Sequence, residues 1–215
     1  MRKGAVSLVV VVVLLASAAS SAVAQITFTI NPNVGLYVPH GALLFEAPSN
    51  LSDLESKKAV GGPVFTTRLA AWLTPNLGFE GSIGYSPALI AVTNHDGQVE
   101  DIRQSLLLSS IRSVYRFPGD RITRLGFQVG TGLGVVHRGG DAWANSPTGP
   151  AIAFVFSAGV RAQLSPKKPL AFRMELEDYI SWAQFRLDSG AYTRGRAYHD
   201  LVYSLGVVFA VQPRR

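Results

Sequence analysis

The sequence predicts an all-β chain, an eight-stranded antiparallel up-and-down barrel that crosses a membrane. Three observations predict it. Apolar and polar side chains alternate at period two along segments of about ten or more residues, the pattern of a strand with a different environment on each face. The connections between these segments alternate long and short, as in transmembrane barrels with short turns at one end and longer loops at the other. The apolar face is nearly free of charge, while the other face holds a sparse, balanced set of arginines and glutamates among glycines.

The strands follow in order. Over 26–38, Ile26, Phe28, Ile30, Val34, Leu36 and Val38 share one parity, and Thr27, Thr29, Asn31, Asn33, Gly35 and Tyr37 the other. Pro32 falls on the apolar side and removes a ladder donor, which predicts a seam or a bulge there. A long connection over 39–62 contains Ser52 and Glu55 at capping-box spacing, consistent with one helical turn. The second strand, 64–73, and the third, 77–86, flank the tight turn Thr74-Pro75-Asn76. That turn sets Arg68 diagonal to Glu80 on the inner face. After a connection over 87–103, the fourth strand, 104–117, carries Arg112 and Arg116 inward. The fifth, 124–137, has an inner face of Gly126, Gln128, Gly130, Gly132 and Gly134, a glycine stripe expected opposite them. A connection over 138–149 leads to the sixth strand, 151–164, with Arg161 inward. The last pair spans 169–211 and encloses a loop over 183–197. In its first strand Leu170, Phe172, Met174 and Leu176 alternate with Ala171, Arg173, Glu175 and Glu177. Tyr37, Trp72, Tyr85, Tyr115, Phe117, Tyr179 and Trp182 fall near strand ends, where interfacial girdles are expected.

A soluble lipocalin-like barrel would show the same alternation with its apolar face inward. The uncharged apolar face, the small number of charges opposite it and the glycines there favour the membrane barrel.

The length of 215 residues suits one large all-β domain. Arg2 and Lys3 precede an apolar run over 6–15, and small residues end at Ala22-Val23-Ala24. This predicts a cleaved signal peptide at 1–24, with the barrel domain at 25–215. An N-terminal membrane anchor is the competing assignment, but the apolar core is short for a span. No later segment offers about twenty apolar residues in a row. The formal charge is +6, of which Arg2 and Lys3 contribute two, leaving +4 after cleavage. That is weak ground for nucleic-acid binding in an exported protein, and none is expected. With no cysteines there is neither a disulfide framework nor a thiolate metal site, and no metal or cofactor is expected.

The C-terminal part resembles the outer-membrane β-barrel domain family of Gram-negative bacteria, the small OmpA/OmpX-like barrels. Arg173, Glu175, Asp178 and Tyr179 carry the resemblance in the seventh strand. His199, Asp200, Leu201, Ser204, Leu205, Gly206 and Phe209 carry it in the eighth. The resemblance implies an address in the cell outer membrane and a monomer. It also implies contact with outer-membrane lipids, lipopolysaccharide and the barrel assembly machinery. Such barrels usually end on an aromatic residue, whereas here Phe209 is followed by Ala-Val-Gln-Pro-Arg-Arg. Tethering to the cell wall is not expected. Both termini are expected at the periplasmic end.

An eight-stranded barrel is only just wide enough for its own side chains. Arg68, Glu80, Arg112, Arg116, Arg161, Arg173, Glu175 and Glu177 are therefore expected to pair and plug the lumen, because unpaired buried charge is costly. Glu175 and Glu177 are expected to neutralise the arginines around them. The function expected is structural or surface-interacting, with a small pore or a conduit for small or hydrophobic solutes as the alternative. Lipid A modification is disfavoured, and no residue is assigned a catalytic role. His40, His95, His137 and His199 lie in loops or near strand ends, and none begins a His-x-Ser triplet. His95-Asp96 and His199-Asp200 are sequence neighbours that point to opposite faces of a strand. The last long loop interleaves Arg186, Arg194 and Arg196 with Phe185, Tyr192 and Tyr198. From it Arg186, Tyr192, Arg194 and Arg196 are the candidates for recognising an anionic surface.

Overall fold

The computed structural model describes residues 26–40, 56–93, 99–117, 124–140, 149–164, 170–183 and 196–211. Nine strand segments account for nearly all of them. They are β1 Thr27–His40, β2 Ser56–Val60, β3 Gly62–Trp72, β4 Leu77–Thr93, β5 Val99–Arg116, β6 Leu125–Gly139, β7 Ala151–Gln163, β8 Leu170–Ala183 and β9 Arg196–Val211. Every pairing is antiparallel. β1 pairs with both β3 and β9, and β5 pairs with both β4 and β6, so the sheet closes on itself.

Nine segments make eight strand lines. β3 faces β4 with Phe65 opposite Tyr85, while β2 faces the same strand with Val60 opposite Leu89. The two registers differ by one residue, which makes Gly61 the extra residue of a bulge. β2 therefore continues β3 beyond it. Part of the expected 39–62 connection is thus strand. The capping-box pair Ser52 and Glu55 lies outside the described residues, as does the signal peptide.

Following the hydrogen-bonded register once around the wall gives the barrel's geometry. Thr29 faces Ala70, and the row continues through Glu80, Arg112, Gly132, Val155, Tyr179 and Asp200 to Pro39. The row returns to β1 ten residues beyond its start. With ordinary strand spacing and rise, that stagger tilts the strands by about 40° from the axis.

The two faces have the polarity of a membrane barrel. Ile111 is 73% exposed, Ile152 74% and Met174 63%, and they belong to an outward belt that includes Phe65, Leu69, Phe127, Leu133 and Phe154. A soluble protein does not present such a belt to water. The inner parity instead buries arginines, glutamates and small residues, which rules out the inverted, lipocalin-like arrangement. Among the expected girdle aromatics, Tyr85, Tyr115, Phe117 and Trp182 do face outward. Tyr37, Trp72 and Tyr179 do not: they sit on the inner parity and are buried in the lumen.

Two further expectations change. β4 and β5 run to Thr93 and Val99, so most of the expected 87–103 connection is strand paired in continuous register. Regular apolar–polar alternation fades along this stretch, but the backbone ladder persists without it. Pro32 lies at a seam and not at a bulge. β1 and β9, the first and last strands, keep one register on both sides of it, with ladder partners missing only at Asn31 and Pro32.

Candidate functional site in the barrel lumen

The lumen is filled in layers. In the middle lies a six-membered charge network of Arg68, Arg112, Arg173, Glu80, Glu175 and Glu177, all nearly inaccessible to solvent. Arg68 donates to Glu177 Oε2 at 2.8 Å and to Ser204 Oγ at 2.9 Å, and its Nε lies 3.4 Å from Glu175 Oε2. Arg112 reaches Glu177 at 2.5 Å and Glu175 at 3.3 Å, and also contacts Glu80. Arg173 bonds both oxygens of Glu80, the Nη2 bond at 2.9 Å, and reaches Glu175 at 2.6 Å. With the Gln128 amide assigned so that its oxygen faces Arg173, it accepts from Nε at 2.6 Å. Three cations meet three anions.

Glycines make room for these side chains. Across the ladder Arg112 faces Gly132, Arg173 faces Gly206 and Glu175 faces Gly159. The sequence placed Arg112 correctly against the glycine stripe of β6. Arg116, however, faces Gln128. As the register of the Thr74–Asn76 turn dictated, Arg68 is diagonal to Glu80, at 3.9 Å. Arg161 faces Arg173 across the β7–β8 ladder. The expected neutralisation is narrower than the sequence suggested. Glu175 and Glu177 serve Arg68, Arg112 and Arg173, whereas Arg116 and Arg161 stand apart toward the short-turn end.

Toward the long-loop end the inner wall becomes apolar. Val64, Leu106, Leu108, Val136, Val155 and Val202 pack there with Tyr37 and Tyr179. This layer was missed. Its signal was a local loss of alternation, in Leu106-Leu107-Leu108, Val135-Val136 and Leu201-Val202, where consecutive apolar residues cover both faces of a strand. Beyond it, Asp200 accepts from Tyr37 Oη at 2.7 Å and from Arg138 Nη2 at 2.5 Å. Arg138 also lies 5.9 Å from the Tyr198 ring centroid. This clasp, too, was not foreseen.

His199 does not pair with its neighbour Asp200, as strand geometry required. It meets Asp178 on the adjacent strand, Nδ1 to Oδ2 at 2.8 Å, in a half-buried position. The histidine–acid pair that sequence adjacency did not supply is therefore made across the β8–β9 ladder. Arg186, Tyr192 and Arg194 lie outside the described residues, and Arg196 begins β9. Among the described residues no cluster of three metal-ligating side chains occurs.

A closed antiparallel sheet with an exposed apolar belt and a charged, side-chain-filled lumen defines the class: a bilayer-spanning β-barrel of the outer-membrane type. Among solved structures the chain is similar to Neisserial surface protein A, at 11% identity and a TM-score of 0.57, over 85% of this chain and 96% of that one. It is also similar to outer membrane protein AlkL as determined in DMPC lipid bilayers. There the identity is 16% and the TM-score 0.57, over 91% of this chain and 95% of that one. At these identities the likeness is one of fold. No protein-family model and no curated protein matches the chain.

Proposed function

We propose that the protein is a monomeric barrel of the outer membrane with a structural or surface-interacting role, its lumen closed to ions. The observation that carries this reading is the neutral six-residue network, which spans the lumen beneath an apolar layer. An ion crossing it would have to shed its hydration and displace guanidinium–carboxylate pairs. In this reading the short turns face the periplasm. The last long loop, with Arg186, Tyr192, Arg194 and Arg196, meets lipopolysaccharide or an external partner, and the assembly machinery inserts the barrel. Planar-bilayer recording of the refolded protein is the test. No stepwise conductance is expected, and steady openings in proportion to inserted protein would replace this reading by a pore.

A hydrophobic-solute conduit is the second reading, favoured by the apolar upper lumen and by a wall groove of about 620 Å³ beside Pro32, Val34, Phe65, Tyr85 and Leu205. It predicts protein-dependent uptake of an apolar solute by whole cells while conductance stays at zero.

Catalysis is not part of the proposal. The ladder partners of His199 are Ile180 and His40 and those of Asp178 are Leu201 and Phe156, none of which is a hydroxyl nucleophile. Replacing His199 by Ala should leave the host's lipid A mass profile unchanged. A mass shift that depends on His199 would establish the enzyme reading instead.

A further inference from the structure

The charges of the inner wall do not balance. Arg68, Arg112 and Arg173 are met by Glu80, Glu175 and Glu177, and Arg138 is met by Asp200. Arg116 and Arg161 remain. Both are half-buried on the inner parity at the short-turn end, and among the described residues neither forms an ion pair. Arg116 stands across the ladder from Gln128 and Arg161 from Gly126, so the two flank β6 at positions two residues apart on its inner face. Glu80 is already engaged by Arg112 and Arg173. Two cations flanking one strand and partly withdrawn from water repel unless an anion lies between them.

The site is built rather than accidental. The backbone of Arg116 is pinned on both sides of its peptide by Asn76, whose carbonyl accepts from Arg116 N at 2.7 Å and whose Nδ2 donates to Arg116 O at 2.7 Å. Its guanidinium carbon sits over the Trp72 ring, 3.8 Å from the centroid. Trp72 is itself fixed by an Nε1 bond to Thr29 Oγ1 at 3.2 Å. Stacking occupies the face of the guanidinium and leaves its rim of N–H donors for a ligand. Among the described residues the Nε of Arg116 and of Arg161 are both buried without a hydrogen-bond partner. Arg161 has a long bond to Gln163 Oε1, at 3.4 Å. Across the ladder from Arg161 stands Gly126, where an added Cβ would come no closer than 3.8 Å to the Phe117 carbonyl, so there is space above it.

We propose that Arg116 and Arg161 form an anion site at the short-turn mouth of the lumen that takes a phosphate-type oxyanion. Two guanidinium forks match the tetrahedral oxygens of such a group better than a single carboxylate does. In a bilayer the same chemistry has two sources, the headgroup of a phospholipid in the facing leaflet and free phosphate. A carboxylate of the chain itself is the competing occupant. Asp120, outside the described residues, is the acidic residue nearest in sequence to Arg116.

The test uses the mature barrel in alkyl-maltoside micelles, which contain no phosphate. One arm titrates inorganic phosphate and follows the ³¹P linewidth. The other adds a short-chain phosphatidylglycerol and counts retained lipid by native mass spectrometry. Arg116→Gln and Arg161→Gln should each weaken binding by at least about tenfold. Arg161→Lys, which keeps the charge but loses the fork, should weaken it less. Folding of each variant is checked by its heat-modifiable electrophoretic mobility. Binding in one arm that the double Gln variant loses supports the proposal and names the source. Equal binding to wild type and the double variant overturns it, as does no binding to wild type in either arm. In the latter case, phosphate binding gained by Asp120→Asn would identify the occupant as the chain's own carboxylate.

Discussion

Replacing Glu175 by Ala is expected to destabilise the barrel by about 3–5 kcal/mol, the loss typical of breaking a buried ion pair by removing one partner. Glu175 touches all three arginines of the network, at 3.4 Å from Arg68, 3.3 Å from Arg112 and 2.6 Å from Arg173. Its removal leaves three guanidiniums with two carboxylates in a place that water barely reaches. Water should follow the uncompensated charge into the space that Gly159 leaves opposite, so conductance should rise as stability falls. Denaturant unfolding together with planar-bilayer recording measures both. A variant as stable and as silent as the wild type would mean that the lumen is already hydrated and that these charges merely line it.

Asp200→Ala is expected to cost about 2–3 kcal/mol without opening the lumen. It strips the carboxylate from buried Arg138 and leaves the buried Tyr37 hydroxyl without its acceptor. The cost is set below that of Glu175 because the Tyr198 ring still faces Arg138. Conductance should not change, since the six-residue network lies deeper and is untouched. The same unfolding and bilayer assays apply. Openings as large as those of Glu175→Ala would place the seal at the clasp and not in the charge network.

Much of this molecule can be derived from period two alone. Alternation assigns Arg68, Glu80, Arg112, Arg116, Arg161, Arg173, Glu175 and Glu177 to the inner face, because a strand residue has only two directions to take. Short turns fix register, and register fixes which charges are diagonal, as with Arg68 and Glu80. The argument fails where contacts cross the lumen. Arg173 and Glu80 sit on β8 and β4, which are not ladder neighbours, and their meeting depends on barrel width and tilt. The same limit hid the Tyr37–Asp200–Arg138 clasp. It also led Arg116 and Arg161 to be grouped with carboxylates that in fact serve other partners. Strand ends failed for a different reason. Around Pro87 and over 99–103 regular alternation is lost, and the sequence then resembles a loop although the ladder continues.

The interrupted seam at Pro32 also bears on the order in time in which the barrel is completed. β3 with β4, β5 with β6 and β7 with β8 are joined by short turns, so each hairpin can form from local contacts. β1 must wait for β9: the Tyr37–Asp200 bond between them joins residues 163 apart in sequence. The closure of so long a loop is entropically costly and comes late. Pro32 takes a rung from that joint. The ring is therefore fastened last at a joint whose ladder is interrupted, and the Tyr37–Asp200 contact, on the long-loop side of the gap, acts as its latch.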